Sequence, residues 1–277
     1  MRASVKKGLC IAPAVLLLGT AALFLTGSTD EMTTVSYQVE SPKAASPIRL
    51  ALVTDLHSCD YGEGQADLLE AIAAQAPDAV LLGGDIIDDD IPREKGELFV
   101  TEVSKRYPTF YVSGNHEFRT DDMAGIKEFL RSAGATVLEG DCIPLTVGGQ
   151  TIQLCGVDDP EGIGQRAMEL QLAQAAAQAD PDQLTVLLSH RPELIDLYRS
   201  FGAFDLILSG HAHGGQWRIP GLMNGLLAPN QGLFPDYAGG RYEFPDCTFL
   251  VSRGLAREST RIPRLFNPPE LVIIDIT

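Results

Sequence analysis

All five histidines of the chain stand in short polar blocks that directly follow runs of apolar residues. The blocks read Asp55-Leu56-His57, Gly83-Gly84-Asp85, Gly114-Asn115-His116-Glu117, a single His190, and Gly210-His211-Ala212-His213. One aspartate after a strand is usually a helix cap, and one histidine is usually a satisfied structural group. Five blocks that use every histidine point to chemistry instead. Carboxylate, imidazole and amide oxygen together are ligands for borderline or hard divalent cations such as Mn, Fe, Zn or Co. No cysteine lies inside a block, which argues against a structural zinc cage. The glycines let the backbone turn sharply and approach a cation closely.

The elements that must position these blocks alternate short apolar runs with helical patterns, the mark of an α/β fold. Strands are expected at Ile48 to Thr54, Ala79 to Leu82, Thr109 to Ser113, Leu184 to Ser189, Phe204 to Ser209, Thr248 to Ser252 and Leu271 to Ile276. Helices are expected at Gln65 to Gln75, Glu97 to Arg106, Asp122 to Ala133, Gln165 to Ala177 and Glu193 to Arg199. Helical periodicity ends after His213. Ligands of open α/β sheets bind at the carboxyl ends of strands, so the five blocks should converge on one crevice. No linker interrupts the pattern, and residues 48–277 read as one catalytic domain. Residues 28–47 form a polar tether in which Thr33 to Val39 alternate as a short edge strand would.

Residues 1–27 read differently. No charge occurs from Gly8 to Thr29, behind the bases Arg2, Lys6 and Lys7. A helix of about 20 such residues spans a bilayer core of about 30 Å. Either an uncleaved signal anchor or a signal peptide fits; the poor cleavage pattern near Thr26, Gly27 and Ser28 favours the anchor. The basic flank predicts a single-pass protein of the cell membrane with the catalytic domain outside the cytoplasm.

The 277 residues are 45% hydrophobic, with 21 Lys and Arg against 37 Asp and Glu, a net charge of −16. Three of the bases precede Gly8, so the remainder sets 18 bases against 37 acids, or −19. Affinity for nucleic acid comes chiefly from Lys and Arg displacing counterions, so a general nucleic-acid binder or nuclease is disfavoured. The five cysteines contain no C-x-x-C pair, which excludes a zinc ribbon and a thioredoxin-like motif. Cys142 and Cys155 lie symmetrically about Gly148-Gly149. A two-residue hairpin turn there places Val147 opposite Gln150, Pro144 opposite Gln153 and Cys142 opposite Cys155. That non-hydrogen-bonded pair has Cα atoms about 4.5 Å apart, at the short end of the disulfide range of about 4.4 to 6.8 Å. The two cysteines form either a bridge or two free thiols with Cys155 packed in the core.

In this order, D-x-H, G-G-D, G-N-H-E, a lone His and G-H-x-H resemble the calcineurin-like metallophosphoesterase superfamily over residues 48–277. Gly214-Gly215-Gln216-Trp217, Ser252-Arg253-Gly254 and Pro268-Pro269-Glu270 are similar to a bacterial subgroup of membrane-tethered phosphodiesterases and UDP-diacylglucosamine pyrophosphatase-like proteins. The resemblance implies a four-layer α/β/β/α sandwich of two mixed β-sheets flanked by helices, with a site for two divalent metal ions. Asp55, His57 and His213 would hold the first ion and Asn115, His190 and His211 the second, with Asp85 bridging both. Two cations about 3.5 to 4 Å apart lower the pKa of a shared water and clamp the phosphoryl oxygens. His116 would serve the leaving oxygen as a proton donor, oriented by Asp88. A tyrosinate-bound ferric site is not expected, because Asp88 stands where some iron-containing members have tyrosine. Asp89 replaces the Arg that follows this motif in protein phosphatases, which disfavours that activity; Asp89 and Asp90 otherwise read as solvated loop acids. Arg191, Arg218 and Arg253 are candidate phosphate clamps, Gln216 and Trp217 candidate pocket residues, and Cys59 a small filler.

The reading is a dinuclear metal-dependent phosphohydrolase that cleaves phosphodiesters or phosphomonoesters by a metal-bridging hydroxide. Its expected partners are a small-molecule or lipid-linked phosphoester and the membrane, with no nucleic acid and no protein. A pyrophosphatase acting on a nucleotide-linked lipid such as UDP-2,3-diacylglucosamine is the alternative enzyme. A non-catalytic metal-binding sensory module is the alternative of another class, disfavoured by the presence of His116.

Overall fold

The computed structural model of the chain describes residues 27–28, 30–257 and 262–277. The expected membrane-crossing segment lies outside the described residues except for its last, Gly27, and no described helix is long and apolar enough to cross a membrane.

The strands run in chain order as β1 (Thr33–Val39), β2 (Ile48–Val53), β3 (Ala79–Gly83), β4 (Thr109–Val112), β5 (Thr136–Val137), β6 (Cys142–Val147) and β7 (Gln150–Gly156). They continue as β8 (Thr185–Leu188), β9 (Leu206–Ser209), β10 (Leu227–Ala228), β11 (Gly232–Leu233), β12 (Gly240–Glu243), β13 (Thr248–Val251) and β14 (Glu270–Ile276). One six-stranded sheet has the order β1-β14-β2-β3-β4-β5 and the other β12-β13-β9-β8-β7-β6. In each, a parallel centre (β2-β3-β4-β5 or β7-β8-β9-β13) is completed by antiparallel neighbours, so both sheets are mixed.

Alternation along the strands sorts side chains into separate cores. Leu50 and Leu52 of β2 meet Val186 and Leu188 of β8 and Leu206 and Leu208 of β9 in a core between the sheets. The intervening Ala51 and Val53 face a second core with Leu68, Ile72, Phe99, Val103, Ile126 and Leu130. Those side chains come from helices Ala66–Gln75, Glu94–Ser104 and Met123–Ser132. Leu187 and Ile207 face a third core with Met168 and Leu172 of helix Gln165–Gln178 and Tyr198 of helix Ile195–Ser200. The result is an α/β fold of two sheets flanked by helices. Strands buried on both faces read as unbroken apolar runs, which is why β2, β3, β8 and β9 are plain in the sequence.

The edge strand expected at Thr33 to Val39 is present as β1, which pairs in parallel with all of β14, so the folded sheet starts before Ile48. The single helix expected from Glu193 begins as a 3-10 turn, Pro192–Leu194, before helix Ile195–Ser200. The hairpin β6-β7 has the register derived from Gly148-Gly149, and Cys142 and Cys155 form a disulfide.

Candidate metal centre

Strands β2, β3, β4, β8 and β9 release the five polar blocks at one edge of the molecule, three from one sheet and two from the other. Asp55, His57, Asp85, His211 and His213 all adopt positive φ, between 47 and 65°. Left-handed backbone at a non-glycine residue is costly and collects at functional sites, because it turns side chains toward a common point. Close approach completes the convergence. A Cβ on Gly84, at φ 89°, would lie 2.7 Å from both Gly114 N and His190 Nδ1, and one on Gly254, at φ 70°, 2.6 Å from Asp55 Cβ.

Asp55, His57, Asp85 and His213 offer ligand atoms that all lie within 4.8 Å of one another, as do those of Asp85, His190 and His211. Asp85 belongs to both groups. His57 Nε2 and His190 Nε2 stand 3.7 and 3.1 Å from Asp85 Oδ2, and His213 Nε2 stands 3.6 Å from Asp55 Oδ1. Asn115 joins the second group: its amide nitrogen donates to His211 Nδ1 at 2.9 Å, and its oxygen accepts from Arg119 at 3.1 and 3.2 Å.

The surroundings of the rings fix which nitrogens point inward. His190 Nδ1 donates to the Gly83 carbonyl at 2.8 Å, since that oxygen cannot donate, and His211 Nε2 lies 2.9 Å from Asn230 Oδ1 and 3.0 Å from Arg191 Nη1. His190 Nε2 and His211 Nδ1 are left 3.1 Å apart. His190 Nε2, His211 Nδ1 and the Asp85 carboxylate thus crowd one space, which favours a positive charge among them. Burial opposes a charge on His190, yet Asp85 raises it to about 10: a proton holds that charge, or a metal ion that displaces it. Burial holds His211 and His213 well below the usual histidine range, helped by His190 and His57 respectively, so both rings keep their lone pairs. Burial works against the Asp85 carboxylate, but His190 holds it well below the usual range. His57 Nε2 and Asp85 Oδ2 are buried with no hydrogen-bond partner. Carboxylate and imidazole donors, inward lone pairs and orphaned polar atoms fit divalent metal ions.

Around this centre the expected roles are partly redistributed. Asp88 does not hold His116. Its Oδ2 accepts from His57 Nδ1 at 2.6 Å and lies 3.6 Å from His116 Nδ1, whose hydrogen bond goes to Asp89. The cause is the Asp88 loop: Oδ1 accepts from the backbone N–H groups of Asp90 and Ile91, which turns Oδ2 inward to His57. Asp89 is thus a partner of His116 rather than a solvated loop acid. Arg191 is not a free clamp either. It grips Asp159 through Nε at 2.5 Å and Nη2 at 2.8 Å, and Nη1 donates to Asn230 at 2.7 Å, which bridges it to His211. Arg253 pairs with Glu270 at 3.1 Å, bracing the Gly254 loop against Asp55. Arg218 and Trp217 lie away from the ligands in an apolar groove, and Gln216 contributes backbone contacts to Leu265 and Asn267.

Two supports were not anticipated. Glu117, the last residue of G-N-H-E, is fully buried and accepts from the N–H groups of Asp85, Ile86, Ile87 and Gly114 at 2.7 to 3.1 Å. It holds two ligand loops with one carboxylate, which burial raises to about 7. The sequence signal was the acid beside a ligand block. Asn230, by contrast, lies far from any motif and could not be found that way.

A family model described as calcineurin-like phosphoesterase matches residues 48–215, more than half of the chain. The chain is 27% identical over 261 residues to the uncharacterised protein YpbG of Bacillus subtilis, covering 93% of this chain and 92% of that one. It is 28% identical to phosphodiesterase YaeI of Escherichia coli, covering 84% and 83% of the two chains. It is also 27% identical to a bovine transmembrane protein with metallophosphoesterase domain, covering 90% of this chain and 59% of that one. Several relatives are longer, and this chain spans from 46 to 62% of their length.

Proposed function

The chain belongs to the calcineurin-like phosphoesterase family and is a phosphoester hydrolase, and we propose that it is a dinuclear enzyme acting on phosphodiesters outside the cytoplasm. The observation that carries this reading is the pair of ligand groups sharing Asp85. Asp55, His57 and His213 would hold one divalent ion, Asn115, His190 and His211 the other, and Asp85 both. Bound there, such ions supply an activated water and neutralise charge on the phosphoryl oxygens.

The protein's own groups do the rest. Asp88 fixes the ring of His57 and Asn230 that of His211, so the lone pairs stay aimed inward. His116 is the most exposed of the five histidines, its side chain 25% accessible at the rim of the centre. With Nδ1 donating to Asp89, Nε2 is the ring nitrogen left to face the leaving oxygen, to which it would pass a proton from the doubly protonated ring. Arg119, 3.4 Å from that nitrogen, adds positive charge where the leaving oxyanion forms.

Phosphodiester specificity draws support from the name of the Escherichia coli relative, phosphodiesterase YaeI. Attachment to a membrane draws support from the uncharged segment and from the name of the bovine relative, and location outside the cytoplasm from the basic residues ahead of that segment and from the disulfide, a bond rare in reducing compartments. The test is a substrate panel on protein loaded with Mn, Fe, Zn or Co. Bis(p-nitrophenyl) phosphate should turn over faster than p-nitrophenyl phosphate, and chelation should abolish both. Preference for a nucleotide pyrophosphate diester would instead select the pyrophosphatase reading, and metal binding with no turnover would select a sensory module.

A further inference from the structure

Glu161 stands outside every motif of the sequence, in helix Pro160–Ile163, which follows β7. Asp159 caps that helix: its Oδ1 accepts from Glu161 N at 2.8 Å and fixes the backbone there. The helix is seated against helix Asn115–Arg119, for a Cβ on Gly162 would lie 2.0 Å from the Phe118 ring.

This seat brings one carboxylate to two arginines. Glu161 Oε1 accepts from Arg119 Nε at 2.6 Å and Oε2 from Arg119 Nη2 at 2.9 Å, a two-bond fork, while Oε2 also accepts from Arg191 Nη2 at 3.0 Å. Arg119 Nη1, which also donates to Asn115, stands 3.4 Å from His116 Nε2. Acid and base thus alternate from Asp89 through His116, Arg119, Glu161 and Arg191 to Asp159. The side chains of Arg119 and Glu161 are 43 and 39% accessible, and an ion pair so exposed adds little stability. What the fork supplies is orientation, because two parallel bonds hold a guanidinium plane that one bond lets swing. Glu161, Arg191 and Asn230 also line a cavity of about 450 Å³, so the chain of charges borders open space rather than another element.

We propose that Glu161 is a positioning residue for departure of the leaving group: by fixing Arg119 it holds a second positive charge beside His116. This rests on the phosphohydrolase reading. As the phosphorus–oxygen bond breaks, its electron pair passes to the leaving oxygen, which takes the His116 proton while the Arg119 guanidinium faces the same oxygen. No atom of Glu161 touches the substrate. Without the Glu161 carboxylate, Arg119 keeps its charge but loses its place, and stabilisation of a forming oxyanion depends on donors held in place beforehand. The loss is greatest for a poor leaving group, whose oxygen gathers the most charge.

The full, metal-loaded chain is assayed on aryl methyl phosphates whose leaving phenols range from p-nitrophenol to unsubstituted phenol. In Glu161→Gln, kcat should fall about tenfold or more for phenyl methyl phosphate and much less for p-nitrophenyl methyl phosphate, with KM little moved. Arg119→Lys, which keeps the charge but lacks the fork, should steepen the dependence on leaving group in the same way. Glu161→Gln added to Arg119→Ala should cost nothing further, because the effect runs through Arg119. Equal losses along the series overturn the proposal, as does an additive loss in the double variant. Loss of bound metal in Glu161→Gln overturns it too, since Glu161 would then act through Arg191 on His211. A native protein that hydrolyses none of these esters refutes the hydrolase reading and takes the role of Glu161 with it; the other three outcomes remove that role alone.

Discussion

Asp88 and Asp89 carry the same carboxylate one residue apart, yet their partners give them separable effects. Asp88 fixes the ring of His57, a proposed metal ligand, so Asp88→Asn should weaken metal binding about 10- to 100-fold, measured by metal titration. Asp89 fixes His116, so Asp89→Asn should leave metal content intact and blunt leaving-group protonation. His116→Asn should lower turnover of alkyl phosphodiesters by roughly 100- to 10,000-fold, the usual share of general acid catalysis. Its effect on an activated phenolate leaving group should be much smaller; equal losses on both would assign His116 to charge stabilisation instead. The metal-free protein carries a pH signature. His190 is raised to about 10 from an unperturbed value of about 6.5. A raised histidine contributes stability fully present below about pH 6.5 and lost as pH rises through about 10. The chelated protein should therefore melt lower at pH 9 than at pH 7, while metal-loaded protein keeps its melting temperature; a flat chelated profile would contradict the buried charge. The ligand set is legible in the sequence because its residue types recur at strand ends. The Asp88 and Asp89 partners are not, since backbone bonds at Asp90 and Ile91 decide which acid turns inward.

At the scale of elements, legibility follows the number of buried faces. Strands β2, β3, β8 and β9 are buried on both faces and stand out as apolar runs. β10 and β11 are two residues each, too short to show any period, and so the exposed hairpin that carries Asn230 to the metal centre has no sequence signature. The hairpin β6-β7 is legible from its turn alone: Gly148 and Gly149, at φ 56 and 83°, set the register that brings the two cysteines together. Thiol titration of denatured, unreduced protein should find no more than three of the five cysteines reactive. Five reactive thiols would remove the bridge. Reduction should destabilise the native hairpin by about 2 to 4 kcal/mol, less any native strain.

For the molecule as a whole, two sheets meet so that strand ends from both supply one centre, with His190 and His211 of one sheet bonded to Gly83 and Asp55 of the other. The sheets cannot slide apart without dismantling the site. Orientation across a membrane was read from Arg2, Lys6 and Lys7 and the uncharged segment after them. A reporter that works only outside the cytoplasm should be active when fused after Thr277, and a soluble, inactive fusion would contradict that topology. The central claim is narrower: two metal ions share Asp85. Metal content per chain, measured after reloading purified protein and its single variants, tests it most directly. Two ions per chain are predicted for the native protein, one for Asn115→Ala, and fewer than one for Asp85→Ala. Two ions retained in folded Asp85→Ala would contradict the shared ligand and the dinuclear account built on it.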